Sequence, residues 1–127
     1  LGSDRLQDRV LMGVAQHGGA DAADWLFGIA RDSTRAMHVR KQALFWAGQG
    51  ATPTTALVSA YRSMPDRELR EQLIFVLSQR DDSTATDALF DVARSDPDHD
   101  MRKRAMFWLG QKHDPRGARF LADILEH

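Results

Sequence analysis

A chain of 127 residues with 43% hydrophobic and 28% charged residues is long enough to bury one core, and its composition argues against a disordered or membrane-spanning polypeptide. The 17 basic and 18 acidic residues leave a formal charge of −1, so no global field draws the chain to nucleic acid or anionic lipid and any basic site must be local. With no cysteine there is no disulfide, thiolate zinc site or cysteine nucleophile, and the compartment stays open, cytoplasmic or extracytoplasmic in a bacterial setting.

"LGS" (1 to 3) reads as a linker scar, and a first amphipathic helix follows, with Leu6 and Val10 on one face and Gln16 at its end. A shorter helix is expected at "DWLFGIA" (24 to 30), and then a longer one, "HVRKQALFWAGQG" (38 to 50). Thr52 before Pro53 marks an N-cap with proline at the first helical position, opening a short helix through "ALVSAY" (56 to 61). After Asp66 comes the long "ELREQLIFVLSQR" (68 to 80), then the short "ALFDVA" (88 to 93). Asp98 and Asp100 open the long "DMRKRAMFWLGQK" (100 to 112), the acids suiting a helix N-terminus. Asp114 before Pro115 caps a last short helix, "RFLADIL" (119 to 125), and "LEH" (125 to 127) reads as the join to a polyhistidine tag. Residues 4 to 125 are therefore expected to form one repeat domain, opening on a long helix and closing on a short one as if cut from a longer array.

The long helices repeat one another. Gln16, Gln49, Gln79 and Gln111 follow at intervals of 33, 30 and 32 residues. Ten residues before each stands an apolar residue (Leu6, Val39, Leu69, Met101), six before another (Val10, Ala43, Leu73, Ala105), and one before a small one (Ala15, Gly48, Ser78, Gly110). A short helix and a long helix per unit of about 30 residues cannot cover their own apolar stripes, so units must stack. The expectation is an all-α, right-handed α-solenoid of stacked antiparallel helix pairs.

The three strings "HVRKQALFWAGQG", "ELREQLIFVLSQR" and "DMRKRAMFWLGQK" resemble the second helix of HEAT repeats, especially the short HEAT-like class first associated with phycobilisome lyases. The resemblance implies a binding scaffold rather than an enzyme. It also implies a ladder in which an Asp near the end of each first helix faces the Arg of the second. Arg40, Arg70 and Arg102 fill the Arg position; Asp96, six residues before Arg102, fits as its partner, whereas Asp32 lies eight before Arg40 and Met64 stands before Arg70.

On a wheel of about 100° per residue from Val39, Ala43, Ala47, Leu44 and Trp46 share the core face, and Arg40, at about 100°, falls inside it. An arginine there suits an acidic or carbonyl partner better than a ligand. Phe45, Phe75 and Phe107 fall at about 240°, away from the core stripe, with Gln49, Gln79 and Gln111 beside them. These columns either wedge between successive long helices or line a groove for a partner. The candidate partner-binding set is Lys41, Phe45, Gln49, Phe75, Gln79, Lys103, Phe107 and Gln111. Trp25, Trp46 and Trp108 read as packing residues.

Other chemistry is sparse. "DPDHD" (96 to 100) alternates acids as a calcium loop does, but the sixth position is Met101 rather than glycine and the twelfth is Phe107 rather than glutamate. The histidines at 17, 38, 99, 113 and 127 never fall at i, i+4 spacing, and no phosphate loop or nucleophile motif is present. The expected protein is a noncatalytic, monomeric scaffold or adaptor with no cofactor and no metal, binding a protein or peptide through its longer helices. Alternatives are a bilin-lyase-like accessory subunit, a DNA-binding domain, disfavoured because Glu71 and Gln72 interrupt the cationic column, and a purely structural spacer.

Overall fold

The computed structural model describes residues 9–13, 19–50, 52–112, 119, 122 and 123. Among them a helical stretch at 9–13 is followed by α1 (Gly19–Arg31), α2 (Met37–Gln49), α3 (Thr54–Ser63), α4 (Arg67–Ser78), α5 (Ser83–Ser95) and α6 (His99–Gln111), with no strand. The protein is an all-helical repeat. Gln16, His17, Asp114 and Pro115 lie outside the described residues, as do His113 and His127.

Each helix exists because its apolar residues return at helical spacing and have somewhere to go. In α2 the buried stripe is Val39, Arg40, Ala43, Leu44 and Ala47; in α4 it is Leu69, Leu73, Ile74, Val76 and Leu77. The short helices supply the other wall, with Leu57, Ala60 and Tyr61 from α3 and Ala85, Leu89, Val92 and Ala93 from α5. Consecutive helices pack as pairs, α1 with α2, α3 with α4 and α5 with α6. The long helices also touch in series, α2 against α4 and α4 against α6, while α3 lies against α5. One core therefore runs through all the units, and Leu26, Leu44, Leu57, Leu73, Leu89 and Leu109 are closed to solvent along it.

The helix starts differ in part from the sequence reading. Pro53 is the N-cap of α3 rather than its first helical residue, with extended backbone (φ −62°, ψ 141°). Asp66 stands at the N-cap of α4 without a side-chain capping bond, because its carboxylate is engaged by Arg40. Asp82 and Asp98 do cap, accepting from the N–H of Ala85 at 2.8 Å and of Asp100 at 2.9 Å. His38 and His99 sit in the first turns of α2 and α6.

Close approach of α2 and α4 depends on Gly48. A Cβ at that position would run into the Val76 side chain, so a glycine is required for the two long helices to sit at this separation.

Candidate functional site

The long helices carry a connected row of aromatic rings. Phe45 stacks on Phe75 with ring centroids 6.5 Å apart and planes 15° from parallel, and Phe75 meets Trp108 at 5.3 Å. Trp46 and Phe107 extend the row edge-on, each 5.0 Å from its sequence neighbour, Phe45 and Trp108 respectively. Phe45 and Phe75 are half-buried, and Phe107 is 57% exposed. Phe45 and Phe75 thus lie in the seams between α2, α4 and α6, as the wedge reading expects, while Phe107 stands largely open to solvent. Trp46 and Trp108 pack against the core, but Trp25, read from sequence as a packing residue, is 44% exposed on α1.

The polar candidates lie beside this row. Gln49, Gln79 and Gln111 are exposed, and the Gln79 amide donates to the neighbouring Ser78 hydroxyl at 3.2 Å. Lys103 is exposed and Lys41 half-buried. The glutamine that does bridge helices is two turns earlier: the Gln72 amide donates to the Lys41 carbonyl at 3.1 Å, and in the next unit Arg104 takes the same place and pairs with Glu71 at 3.4 Å.

Beneath the row, arginines tie successive units together. Arg40, only 5% exposed, donates to the Ala30 carbonyl at 2.8 Å and to the Asp66 carboxylate at 2.7 Å. One unit on, Arg70 donates to both Asp96 oxygens at 2.9 and 3.1 Å and to the Tyr61 hydroxyl at 3.3 Å. The Tyr61 hydroxyl itself donates to Asp96 at 2.5 Å. Both Arg–Asp pairs span 26 residues, from one long helix to the residues just before the next.

This corrects the pairing inferred from sequence. Asp96 does not offer its carboxylate to Arg102; Arg102 takes the Asp96 backbone carbonyl at 2.6 Å. The carboxylate instead turns inward to Tyr61 and Arg70, where it is buried and fully hydrogen-bonded. Asp32 likewise serves its own loop, accepting from Thr34 and pairing with Arg35. Met64, in the place of an Asp before Arg70, is a core residue.

Burial alone would raise the Asp96 pKa, but hydrogen bonds from Tyr61, the Asp98 N–H and Arg70 outweigh it and hold the carboxyl below its ordinary value. The shared Tyr61–Asp96 hydrogen bond acts in the opposite sense on the phenol, where burial acts in the same sense as on the carboxyl. Burial, and then the bond to Asp96, push the Tyr61 pKa well up, so it remains a neutral donor. Asp82 is also held low, first by the Thr54 hydroxyl and then by the Ala85 N–H.

A second set of clasps was not read from sequence. Arg80, just after the repeat glutamine, donates to the Gly48 carbonyl at 2.8 Å, the Thr52 carbonyl at 2.6 Å and the Thr54 hydroxyl at 3.2 Å. Lys112, in the equivalent place, donates to the Arg80 carbonyl at 2.6 Å. A basic residue after Gln79 and again after Gln111 was the available signal. Elsewhere, a cavity of about 340 Å³ opens between α3 and α5, lined by Val58, Tyr61, Arg62, Asp91, Val92 and Asp96 among others. Among the described residues no cluster of His, Cys, Asp and Glu could hold a metal ion, and no helix is long and apolar enough to cross a membrane.

Repeating helix pairs with a shared core, tied unit to unit by ion pairs and hydrogen bonds, define a helical-repeat architecture. The HEAT-repeat profile matches residues 54–127, more than half of the chain, and the chain belongs to the HEAT repeats. No curated protein and no solved structure matches it.

Proposed function

We propose that the chain is a right-handed α-solenoid of antiparallel helix pairs acting as a noncatalytic scaffold or adaptor, which binds a protein through the solvent face of α2, α4 and α6. The observation that carries this reading is the aromatic row from Phe45 to Phe107, half-open to solvent and flanked by the exposed Gln49, Gln79 and Gln111. Aromatic rings held rigid by their neighbours lose little freedom on binding, and amides beside them can satisfy a partner backbone, so the row suits a polypeptide. A polyanion is the poorer fit, because Arg40, Arg70, Arg80 and Arg104 are committed to groups within the chain. Lys41 and Lys103 stand beside the row as single charges.

The test is site-specific photocrosslinking in the source cells, with the crosslinker at Gln79 on the proposed face or at Ser59 on the exposed side of α3. Capture of a partner from Gln79 and not from Ser59 supports the reading, and Phe75→Ala should reduce that capture while leaving helical content in place. Equal capture from both positions, or capture from Ser59 alone, sinks it.

A further inference from the structure

The short helices repeat one another in register. Aligned on the buried Leu26, Leu57 and Leu89, they place Phe27, Val58 and Phe90 in one column and Arg31, Arg62 and Arg94 one turn later. In α1 the Arg31 guanidinium lies over the Phe27 ring, 5.5 Å from its centroid, and in α5 Arg94 lies over Phe90 at 5.8 Å. Arg31 also crosses to the next unit, where it donates to the Ser63 hydroxyl of α3 at 3.3 Å.

In α3 the ring is missing. Val58 stands in its place, and Arg62 makes no hydrogen bond or ion pair with a described residue. Ser95, the counterpart of Ser63, donates instead within its own helix, to the Asp91 carbonyl at 2.8 Å. Val58, Arg62 and Ser95 all line the cavity of about 340 Å³ between α3 and α5. An adjoining recess of about 360 Å³ shares Val58, Arg62, Ala88 and Asp91 with it. The opening therefore falls at the position where the flanking units each carry a stacked ring.

The lining specifies what would fill it. Val58, Leu77, Ala88 and Val92 give apolar walls, and Arg62 gives a guanidinium with no ring beneath it. Asp91 borders both recesses, and among the described residues no ion pair holds its carboxylate. Asp96 is already committed to Arg70 and Tyr61. A planar ring restores the missing stack, and an ammonium on a short arm complements Asp91. The volume lies within the range of about 300 to 1,000 Å³ usual for small-molecule sites.

We propose that the cavity between α3 and α5 binds a small aromatic amine, with its ring against Val58 under Arg62 and its ammonium at Asp91. The site lies between the short helices and stands whether or not a partner covers the aromatic row of the long ones.

The experiment follows the Val58 and Val92 methyl signals of the isotopically labelled full chain by NMR as 2-phenylethylamine is added. A saturable shift at millimolar concentration is expected. 2-Cyclohexylethylamine, which lacks the π face, and 3-phenylpropanoate, which reverses the charge, should each bind at least about threefold more weakly. Val58→Phe supplies the chain's own ring and should abolish the saturable shift at Val92 with the fold retained. Arg62→Gln, at an exposed position, should remove the preference for phenyl over cyclohexyl. No saturable shift, equal affinities for the three probes, binding that persists in a folded Val58→Phe chain, or a phenyl preference that survives Arg62→Gln would overturn the proposal. Capture of a protein from Ser59, which lines the adjoining recess, would overturn it as well, by making a partner's side chain the occupant.

Discussion

The two ends of the long helices are joined to their neighbours by different chemistry. At the amino-terminal end the ties from one unit to the next are guanidinium to carboxylate: Arg40 to Asp66, Arg70 to Asp96, and Arg67 to Asp98 and Asp100. At the carboxy-terminal end they are cation to backbone carbonyl, Arg80 to Gly48 and Thr52, and Lys112 to Arg80. The first kind needs both partners ionised and both side chains present. The second needs only the cation, because every residue supplies a carbonyl. Acid and mutation should therefore act unequally on the two ends.

The largest expected effect is at the buried carboxylate. Asp96→Ala should cost about 3 kcal/mol in urea unfolding, since it strands Arg70, the Tyr61 hydroxyl and the Asp98 N–H together. A cost comparable to that of an exposed pair would mean the two ends are not different in kind. The same residue sets a pH dependence. Its folded pKa lies below the unfolded value of about 3.9, so the unfolded chain binds the proton more readily. Stability from Asp96 is complete above about pH 5 and drains as pH falls through the folded pKa, and the Asp96→Asn chain should show a shallower acid limb between about pH 5 and 2.

Next in size is Arg80→Met, expected to cost about 2 kcal/mol through its lost charge-assisted bonds to carbonyls. Its cost should change little between pH 7 and pH 4, since Asp82 is the carboxyl that Arg80, after the Thr54 hydroxyl and the Ala85 N–H, helps to hold low, and a cost as acid-sensitive as that of Asp96→Ala would break the contrast between the two ends. Gly48→Ala should cost about 1 kcal/mol net, overpacking against Val76 being offset by the better helix propensity of alanine. In the Val76→Ala background that cost should vanish or change sign. The smallest effect is at Arg67→Ala, which removes exposed pairs to Asp98 and Asp100 and should change stability by about 0.5 kcal/mol or less, with any effect fading in high salt.

How far these features could be read from sequence depends on whether they were local. The period of the glutamines and the helical stripes mark out the pairs, because burial along a helix is written every three or four residues. Arg40 falls among apolar positions on the wheel, and it is buried. Its partner was not legible. Asp66 looks like a helix-start acid, and nothing within a turn or two reveals that its carboxylate is taken by a guanidinium 26 residues earlier. Asp96 was assigned to the nearer Arg102 for the same reason, proximity along the chain standing in for proximity in space. The Phe column was ambiguous because its rings lie on the border of two surfaces, and a wheel for one helix cannot show how closely the next one approaches. Gly48 and Val76 set that distance, and their contact joins two different repeats.

The clasps made by Arg80 and Lys112 also bear on how such a chain can change over generations. Most of their bonds are to backbone carbonyls, so an exposed side chain of the gripped segment, such as Pro53, can vary without releasing the grip. Loop length is another matter, because a carbonyl displaced by one insertion is out of reach. Sequence drift with conserved spacing is the pattern this edge permits, and it makes the turns after α2 and α4 the places where new surface chemistry can be introduced with the least disturbance to the fold.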